Sequence, residues 1–114
     1  HYFEEICKQY LIRKNWAGEI SPVIEKIGKY YYDLPAEKRN GEFDVVTQDE
    51  NGYVFYEVKL RKETIPKAIV REEIEQVKAT GMNCYKYVFV SKSPVDLEGI
   101  EETVEVIRLT NLWN

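Results

Sequence analysis

Apolar and polar positions follow two different periods along the chain. Residues 3–15, FEEICKQYLIRKN, carry apolar side chains at helical spacing beside one polar face, which predicts an amphipathic helix. Residues 42–48 and 53–60, EFDVVTQ and YVFYEVKL, are rich in β-branched and aromatic side chains, which predicts two strands. Asn51-Gly52 lies between them, and this dipeptide is typical of a two-residue hairpin turn. We therefore expect a helix near the start and a β-hairpin in the middle.

The remaining segments complete an alternation of helices and strands. The pattern predicts a strand at 29–33, a loop at 34–41, a helix at 67–80 that stops at Gly81, a strand at 85–91 buried on both faces, a helical turn at 97–102 and a strand at 104–109. The step from the second hairpin strand through a helix to the next strand is a parallel crossover. The order therefore predicts an α/β fold with a mixed sheet and helices on its faces.

Composition limits the size, compartment and chemistry of the protein. The 114 residues, 44% of them hydrophobic and 32% charged, suit a single domain spanning 1–114. The sequence has neither an apolar run of ~18 residues, as a membrane helix needs, nor a secretory signal. With two cysteines and one histidine, a disulfide scaffold, a structural zinc site and a histidine base are all disfavoured. We expect a cytoplasmic protein without a membrane partner, whose chemistry relies on carboxylates, lysine or tyrosine.

The hairpin brings three charged residues together. If Asn51-Gly52 is the loop, Asp44 falls opposite Lys59 and Glu57 falls opposite Val46. Alternation along the strands then puts the two carboxylates and the lysine on one face, with the carboxylates roughly 7–8 Å apart at the backbone. Mg²⁺ prefers oxygen ligands and is held by one or two carboxylates, with phosphate oxygens completing its shell. This pattern predicts a magnesium site in which the lysine orients a water molecule or stabilises developing charge.

An ordinary solvated sheet face is the alternative interpretation of the same charges. Under either interpretation the other face is expected to be core, formed by Phe43, Val45, Val54, Tyr56, Val58 and Leu60. Glu57 and Lys59 stand at the end of a strand that precedes a crossover helix, where ligand sites of α/β folds cluster. Glu4 flanks the apolar stripe of the first helix and is either a third carboxylate of the site or a boundary residue that reaches water.

The combination of these residues resembles the PD-(D/E)XK nuclease superfamily. Asp44 in GEFDVV matches the acidic residue of the second core strand, Glu57-Val58-Lys59 matches the (D/E)XK part, and Glu4 matches the acid on the first helix. The resemblance implies a restriction-endonuclease-like three-layer fold with an αβββαβ core and a four-stranded mixed central sheet. It also implies Mg²⁺ or Mn²⁺ as cofactor, bound by Asp44, Glu57 and Glu4. Gln76 is either a helper residue on the second helix or a solvated polar position.

The match extends to a narrower group over nearly the whole chain. FEEICKQYL, EFDVVTQDENGYVFYEVKL and YKYVFVSKS look like the C-terminal domain of unknown function in archaeal-type AAA+ ATPases. The chain begins with His1 instead of methionine, so we expect a piece of a longer protein with an ATPase module upstream. The chain itself contains no GxxxxGK[ST] motif, so ATP binding by a P-loop is not expected here.

Net charge disfavours a nucleic-acid binder without cleavage and leaves two functions open. The value of −4, from 20 acidic and 16 basic residues, is unusual for a simple nucleic-acid-binding domain. Arg61, Lys62, Lys67 and Arg71 cluster just after Lys59, either as phosphate contacts or as a solvated helix start. We expect a magnesium-dependent nuclease acting on nucleic acid, DNA in preference to RNA. A non-catalytic interaction or regulatory domain of an ATPase is the alternative.

Overall fold

The computed structural model describes residues 2–34 and 39–113, with the backbone alone described at residues 30–34, 39–42 and 44. Its elements are α1 (Tyr2–Trp16), β1 (Lys26–Leu34), β2 (Arg39–Asp49), β3 (Gly52–Lys59), α2 (Lys67–Lys78), β4 (Cys84–Ser91), β5 (Val104–Arg108) and a terminal 3-10 helix (Leu109–Trp113). Both predicted helices and all the predicted strands are present. Of the loop predicted at 34–41, Leu34 belongs to β1 and residues 39–41 belong to β2, and residues 35–38 lie outside the described ranges.

The strands form one mixed sheet in the order β1-β2-β3-β4-β5. β1, β2 and β3 pair antiparallel, whereas β3, β4 and β5 pair parallel. The change of direction follows from the connections: a tight turn joins β2 to β3, and α2 carries the chain back over the sheet between β3 and β4. The predicted α/β class with a mixed sheet is confirmed.

Both faces of the sheet are covered, and each has its own core. The α2 face holds Phe43, Val46, Phe55, Ile65, Val70, Ile74, Val77, Tyr87 and Phe89. The other face, under α1 and the 3-10 helix, holds Cys7, Leu11, Val45, Val54, Tyr56, Val88, Val90 and Leu112. The expectation that Phe43 and Leu60 share one core face with Val45, Val54 and Tyr56 is therefore wrong. Phe43 and Val45 lie on opposite faces, and Leu60 is 44% exposed.

The hairpin turn sits one residue earlier than predicted. Asp49 pairs with Gly52 and Val46 pairs with Phe55, so the loop is Glu50-Asn51 and the predicted pairing of Val46 with Glu57 is wrong. The Asp49 carboxylate accepts a hydrogen bond from the Asn51 backbone N–H at 2.8 Å, which fixes this turn locally. Val45 pairs with Tyr56, so Asp44 lies nearer in register to Glu57 than to its predicted partner Lys59.

A β-bulge in β2 interrupts the alternation of side chains. Gly28 pairs with Val46 but Tyr30 pairs with Phe43, so Asp44 and Val45 together lie across from Lys29. A bulge adds one residue to a strand and changes the face toward which the following side chains point. It explains why Phe43 and Val46, three residues apart, pack in the same core.

Residues 97–102 form a turn, so the helical turn predicted there is wrong. The Asp96 carboxylate accepts a hydrogen bond from the Glu98 N–H at 3.0 Å, and Gly99 has a φ of +74°. A left-handed residue in the middle of the segment stops a helix from propagating. The turn instead buries part of Leu97 and Ile100 against the core under α2.

The helix α1 is held to the sheet by a fully buried Cys7, and both Cys7 and Cys84 are free thiols. Burial, with a smaller contribution from the charge of Glu4, raises the pKa of the Cys7 thiol to about 12.

Within residues 2–34 and 39–113, the helices lack the combination of length and apolar character needed to cross a bilayer.

Gly52→Ala is expected to destabilise the fold by about 2–4 kcal/mol. Gly52 has a φ of +134°, and a methyl group there would collide with the carbonyl oxygen of Asn83, which accepts the Tyr53 N–H at 2.8 Å. Gly28→Ala is the matched control, because Gly28 is also a strand glycine and a methyl group there meets nothing within 4 Å. Urea denaturation of both variants measures the difference, and equal losses would contradict this account of the turn.

Candidate functional site

The last residues of β3 form the centre of the candidate site. Phe55 packs in the core under α2, and strand alternation carries Glu57 and Lys59 toward that same side. Glu57 pairs with Phe89 and Lys59 with Ser91, so both residues lie where β3 and β4 run parallel and approach their carboxyl ends. The crossover to α2 starts a few residues later, which brings the helix over these two side chains.

A residue on α2 completes the cluster. The Glu73 Oε1 atom accepts a hydrogen bond from Lys59 Nζ at 3.0 Å, and Glu57 Oε1 lies 3.7 Å from the same ammonium. The exposed fractions of the side chains are 25% for Lys59, 33% for Glu57 and 17% for Glu73. The lysine is thus held between two carboxylates in a partly desolvated setting, where such pairs interact more strongly than on an open surface.

The surroundings keep Lys59 protonated. Burial alone would lower the pKa of its ammonium, but the hydrogen bond and charge of Glu73 and the charge of Glu57 outweigh burial and raise it. Lys59 is therefore a fixed positive charge near neutral pH. It can donate hydrogen bonds and stabilise negative charge, but it does not serve as a proton acceptor.

The carboxylates line a small cavity of about 10 Å³ between the sheet and α2. Glu57 and Glu73 are the acidic members of its lining, and the other members are apolar or aromatic: Phe43, Phe55, Tyr56, Ile74, Val77, Tyr87, Val88 and Phe89. Apolar walls exclude water and so strengthen the electrostatic effect of the charges at the rim. Glu57 lies near the carboxyl end of β3, so the acidic part of this lining is at that end of the strand.

Basic side chains surround this end of the sheet. Lys59, Ser91 and Arg108 are register partners on β3, β4 and β5, which puts them in one row across the strand ends. The Arg108 guanidinium donates to the Lys92 carbonyl at 3.0 Å, and the Lys92 N–H donates to the Lys59 carbonyl at 3.3 Å. These contacts link three strand ends. Lys92 and Arg108 are exposed and add two positive charges to this edge, and together with Lys59 they form what we call the basic row.

The predicted basic cluster after Lys59 is divided in the structure. Arg61 approaches the Glu63 carboxylate at 3.7 Å, and Arg71 donates to the Gly99 carbonyl at 3.0 Å. Lys62 and Lys67 are exposed on the loop and on the first turn of α2. These residues surround the start of α2, next to the row at the strand ends.

The other predicted site residues lie on three different elements, β2, α1 and α2. Asp44 is at the β2 bulge, next to the register of Glu57, and its side chain is outside the described part of the chain. Glu4 is on α1, in the layer across the sheet from α2, one helical turn before Cys7. Gln76 is on α2, and its amide donates to Glu72 at 3.5 Å on the exposed side of the helix.

Glu73 is the residue whose role the sequence analysis missed. The signal was the position of a glutamate within the apolar stripe of α2, between the buried Val70, Ile74 and Val77. A carboxylate beside such a stripe needs a partner, and the partner is supplied by another layer of the fold. Periodicity identifies the buried side of a helix but does not identify which strand it covers.

The cluster has the donor types of a magnesium site. Within the described side chains, which do not include that of Asp44, no three acidic, cysteine or histidine residues are grouped as ligands for a metal ion. Glu57 and Glu73 both flank Lys59, and one or two carboxylates are the usual protein share of a Mg²⁺ shell. A Glu57-centred oxygen site with an adjacent ammonium is what these residues can provide.

Comparison with known proteins identifies a family over most of the chain. No curated protein and no solved structure matches this chain. The model of a family described as archaeal and bacterial proteins of unknown function, DUF234, matches residues 1–78. That stretch runs from α1 to the end of α2 and contains Glu4, Asp44, Glu57, Lys59 and Glu73. The chain therefore belongs to the DUF234 family of archaeal and bacterial proteins.

Proposed function

We propose that this domain is a metal-dependent nuclease that hydrolyses phosphodiester bonds of DNA or RNA. The observation that carries the proposal is the half-buried Glu57–Lys59–Glu73 cluster at the carboxyl end of β3. Carboxylates next to a fixed ammonium, partly shielded from water at the strand ends, suit the hydrolysis of an anionic ester.

The restriction-endonuclease-like fold is part of this proposal. Its support is the order α1, three antiparallel strands, α2 and a parallel β4, which has the αβββαβ arrangement implied by the PD-(D/E)XK resemblance. β5 extends the expected four-stranded sheet by one parallel edge strand. Glu57 and Lys59 then occupy the (D/E)XK positions on β3, and Asp44 occupies the acidic position on β2.

The proposed metal is Mg²⁺ or Mn²⁺. Glu57 and Asp44 would hold it. The resemblance adds Glu4 as a third carboxylate, but α1, which carries Glu4, packs on the sheet face opposite to α2, so Glu4 lies across the sheet from Glu57 and Glu73. These residues suit the metal by their chemistry, because carboxylate oxygens are hard ligands and the cluster of Glu57, Lys59 and Glu73 carries more negative than positive charge. When bound, such an ion lowers the pKa of a coordinated water and neutralises charge on a phosphate.

The role of Lys59 in this proposal follows from its fixed charge. Hydrolysis joins a water oxygen to phosphorus and breaks the bond to the leaving oxygen, which takes up the proton from the water. Negative charge grows on the phosphate oxygens during this exchange. The Lys59 ammonium, which is held in place before substrate binds, stabilises that charge without needing to reorganise.

The substrate strand would follow the basic row at the strand ends. Lys92 follows β4 and its N–H contacts the Lys59 carbonyl, Arg108 ends β5, and Arg61 and Lys62 come two and three residues after Lys59. Contacts to phosphates position a nucleic acid without reading its sequence. A local basic row thus reconciles a net charge of −4 with a polyanionic substrate.

Exposed aromatic side chains favour the interaction domain as a second candidate function. Trp16 is 87% exposed and Trp113 is 58% exposed. Aromatic residues are enriched in protein interfaces, where they bury much surface for little loss of entropy. A partner such as the ATPase module suggested by the resemblance would then dock at Trp16, the last residue of α1. Trp113 instead follows Arg108 by five residues and contacts Phe3 at the start of α1, so it lies near the carboxyl edge of the sheet.

Lys59→Ala is expected to lower cleavage about 10²–10³-fold, the usual effect of removing one preorganised charge donor. Cleavage of supercoiled plasmid and of single-stranded DNA and RNA in Mn²⁺ measures the loss. Lys86→Ala is the matched control, because Lys86 is 27% exposed, makes a 3.0 Å ion pair with Glu105 and lines a cavity on the opposite face. Equal rates for both variants, or no cleavage by the wild type, would overturn the nuclease proposal.

Mg²⁺ or Mn²⁺ is expected to raise the melting temperature by several degrees. An ion present at a hundredfold excess over its dissociation constant stabilises a folded protein by about 2.7 kcal/mol. Glu57→Gln should abolish the shift because it removes a charged ligand, whereas Glu105→Gln, which alters an exposed carboxylate on β5, should retain it. A shift of equal size in both variants would place the metal elsewhere and contradict the assignment of Glu57.

A further inference from the structure

The acidic residues of α2 are not equivalent. Glu72 and Glu75 are exposed, and Glu72 accepts only a long hydrogen bond from Gln76 at 3.5 Å in the described contacts. Glu73 is 17% exposed and adjoins Ile74, which is buried against the sheet. Partial burial of a carboxylate is costly unless a donor compensates for the water that is lost. The helix packing therefore directs Glu73 toward a specific partner.

Lys59 is that partner, and the contact joins two layers of the fold. Glu73 lies within hydrogen-bond distance of the ammonium at 3.0 Å, whereas Glu57 approaches it at 3.7 Å, the distance of a looser ion pair. Lysine has a flexible four-carbon stem, so its ammonium group has a defined position only where another group holds it. The position of the Nζ atom is consequently determined more by α2 than by the strand that carries Lys59.

We infer that Glu73 is a positioning residue, which acts through Lys59 by holding its ammonium beside the Glu57 carboxylate at the carboxyl end of β3. The inference rests on the proposed nuclease function for its effect on rate. Its physical content is a directional contact between α2 and β3 that keeps the charge preorganised. A preorganised charge stabilises a developing anion more than one that must first find its place.

The kinetic test compares Glu73→Ala with Glu72→Ala, a change at the adjacent and exposed position of the same helix. We expect Glu73→Ala to lower kcat about 10–100-fold with little change in KM, since substrate still meets the basic row. Glu72→Ala should leave both constants unchanged. Glu73→Gln should restore part of kcat, because its amide oxygen still accepts the hydrogen bond from Lys59.

A double variant shows whether Glu73 acts through Lys59. In the Lys59→Ala background, Glu73→Ala should produce no further loss of kcat, because the group that it positions is absent. Independent losses that multiply would overturn the inference and assign Glu73 a direct role of its own. A fall in KM and kcat together, shared with Glu72→Ala, would overturn it as well.

A second measurement needs no activity. The Lys59 ammonium protons should give a protected resonance in the NMR spectrum of the wild type and of Glu72→Ala, but not of Glu73→Ala. The melting-temperature losses of Lys59→Met and Glu73→Ala should likewise combine to less than their sum. Additive losses and an unchanged ammonium signal would overturn the inference.

The two proposals fail separately. A wild type that cleaves no nucleic acid overturns the nuclease function. The NMR signal of the Lys59 ammonium and the melting temperatures of the single and double variants then still decide whether Glu73 holds Lys59 in place. A wild type that cleaves, beside a Glu73→Ala variant equal to Glu72→Ala, leaves the nuclease in place and overturns the positioning role.

Discussion

The packing of α2 against the parallel strands is the constraint on which the rest of this structure depends. Val70, Ile74 and Val77 bury one stripe of a 12-residue helix against β3 and β4, and this burial supplies much of one core. The same contact brings Glu73 to Lys59, so a single packing arrangement stabilises the fold and sets the geometry of the charged cluster. A substitution that shifts the apolar stripe of α2 would therefore change the packing of this core and the position of Glu73 together.

Charge at the carboxyl edge is graded from the centre outward. Glu57 and Glu73 exceed the single charge of Lys59, so the partly buried centre is acidic, while Lys92 and Arg108 make the outer row basic. A polyanion would meet attraction at the rim and repulsion at the centre, and a divalent cation would relieve that repulsion. In the proposed nuclease, this gradient makes the metal a condition for productive approach as well as for chemistry.

Regular patterns in the sequence were sufficient for the elements but not for their exact alignment. The apolar run of β4 and the helical spacing of α1 identified those two elements because burial imposes a clear period. The bulge at Asp44–Val45 left no such period, and it split Phe43 from Val45. The hairpin register depended on an Asp49 side chain that bonds within the turn. Local bonds of this kind outweigh dipeptide preference.

Cys7 gives the protein a built-in reporter of how α1 is attached. Its thiol is fully buried under the helix and has a pKa of about 12, so neither access nor ionisation favours reaction with an alkylating reagent. Modification requires α1 to lift from the sheet, and the rate of labelling therefore counts those openings. Cys84, which is partly exposed at the start of β4, serves as the internal reference for reagent access. The natural sequence thus reports local unfolding of its first helix without an introduced probe.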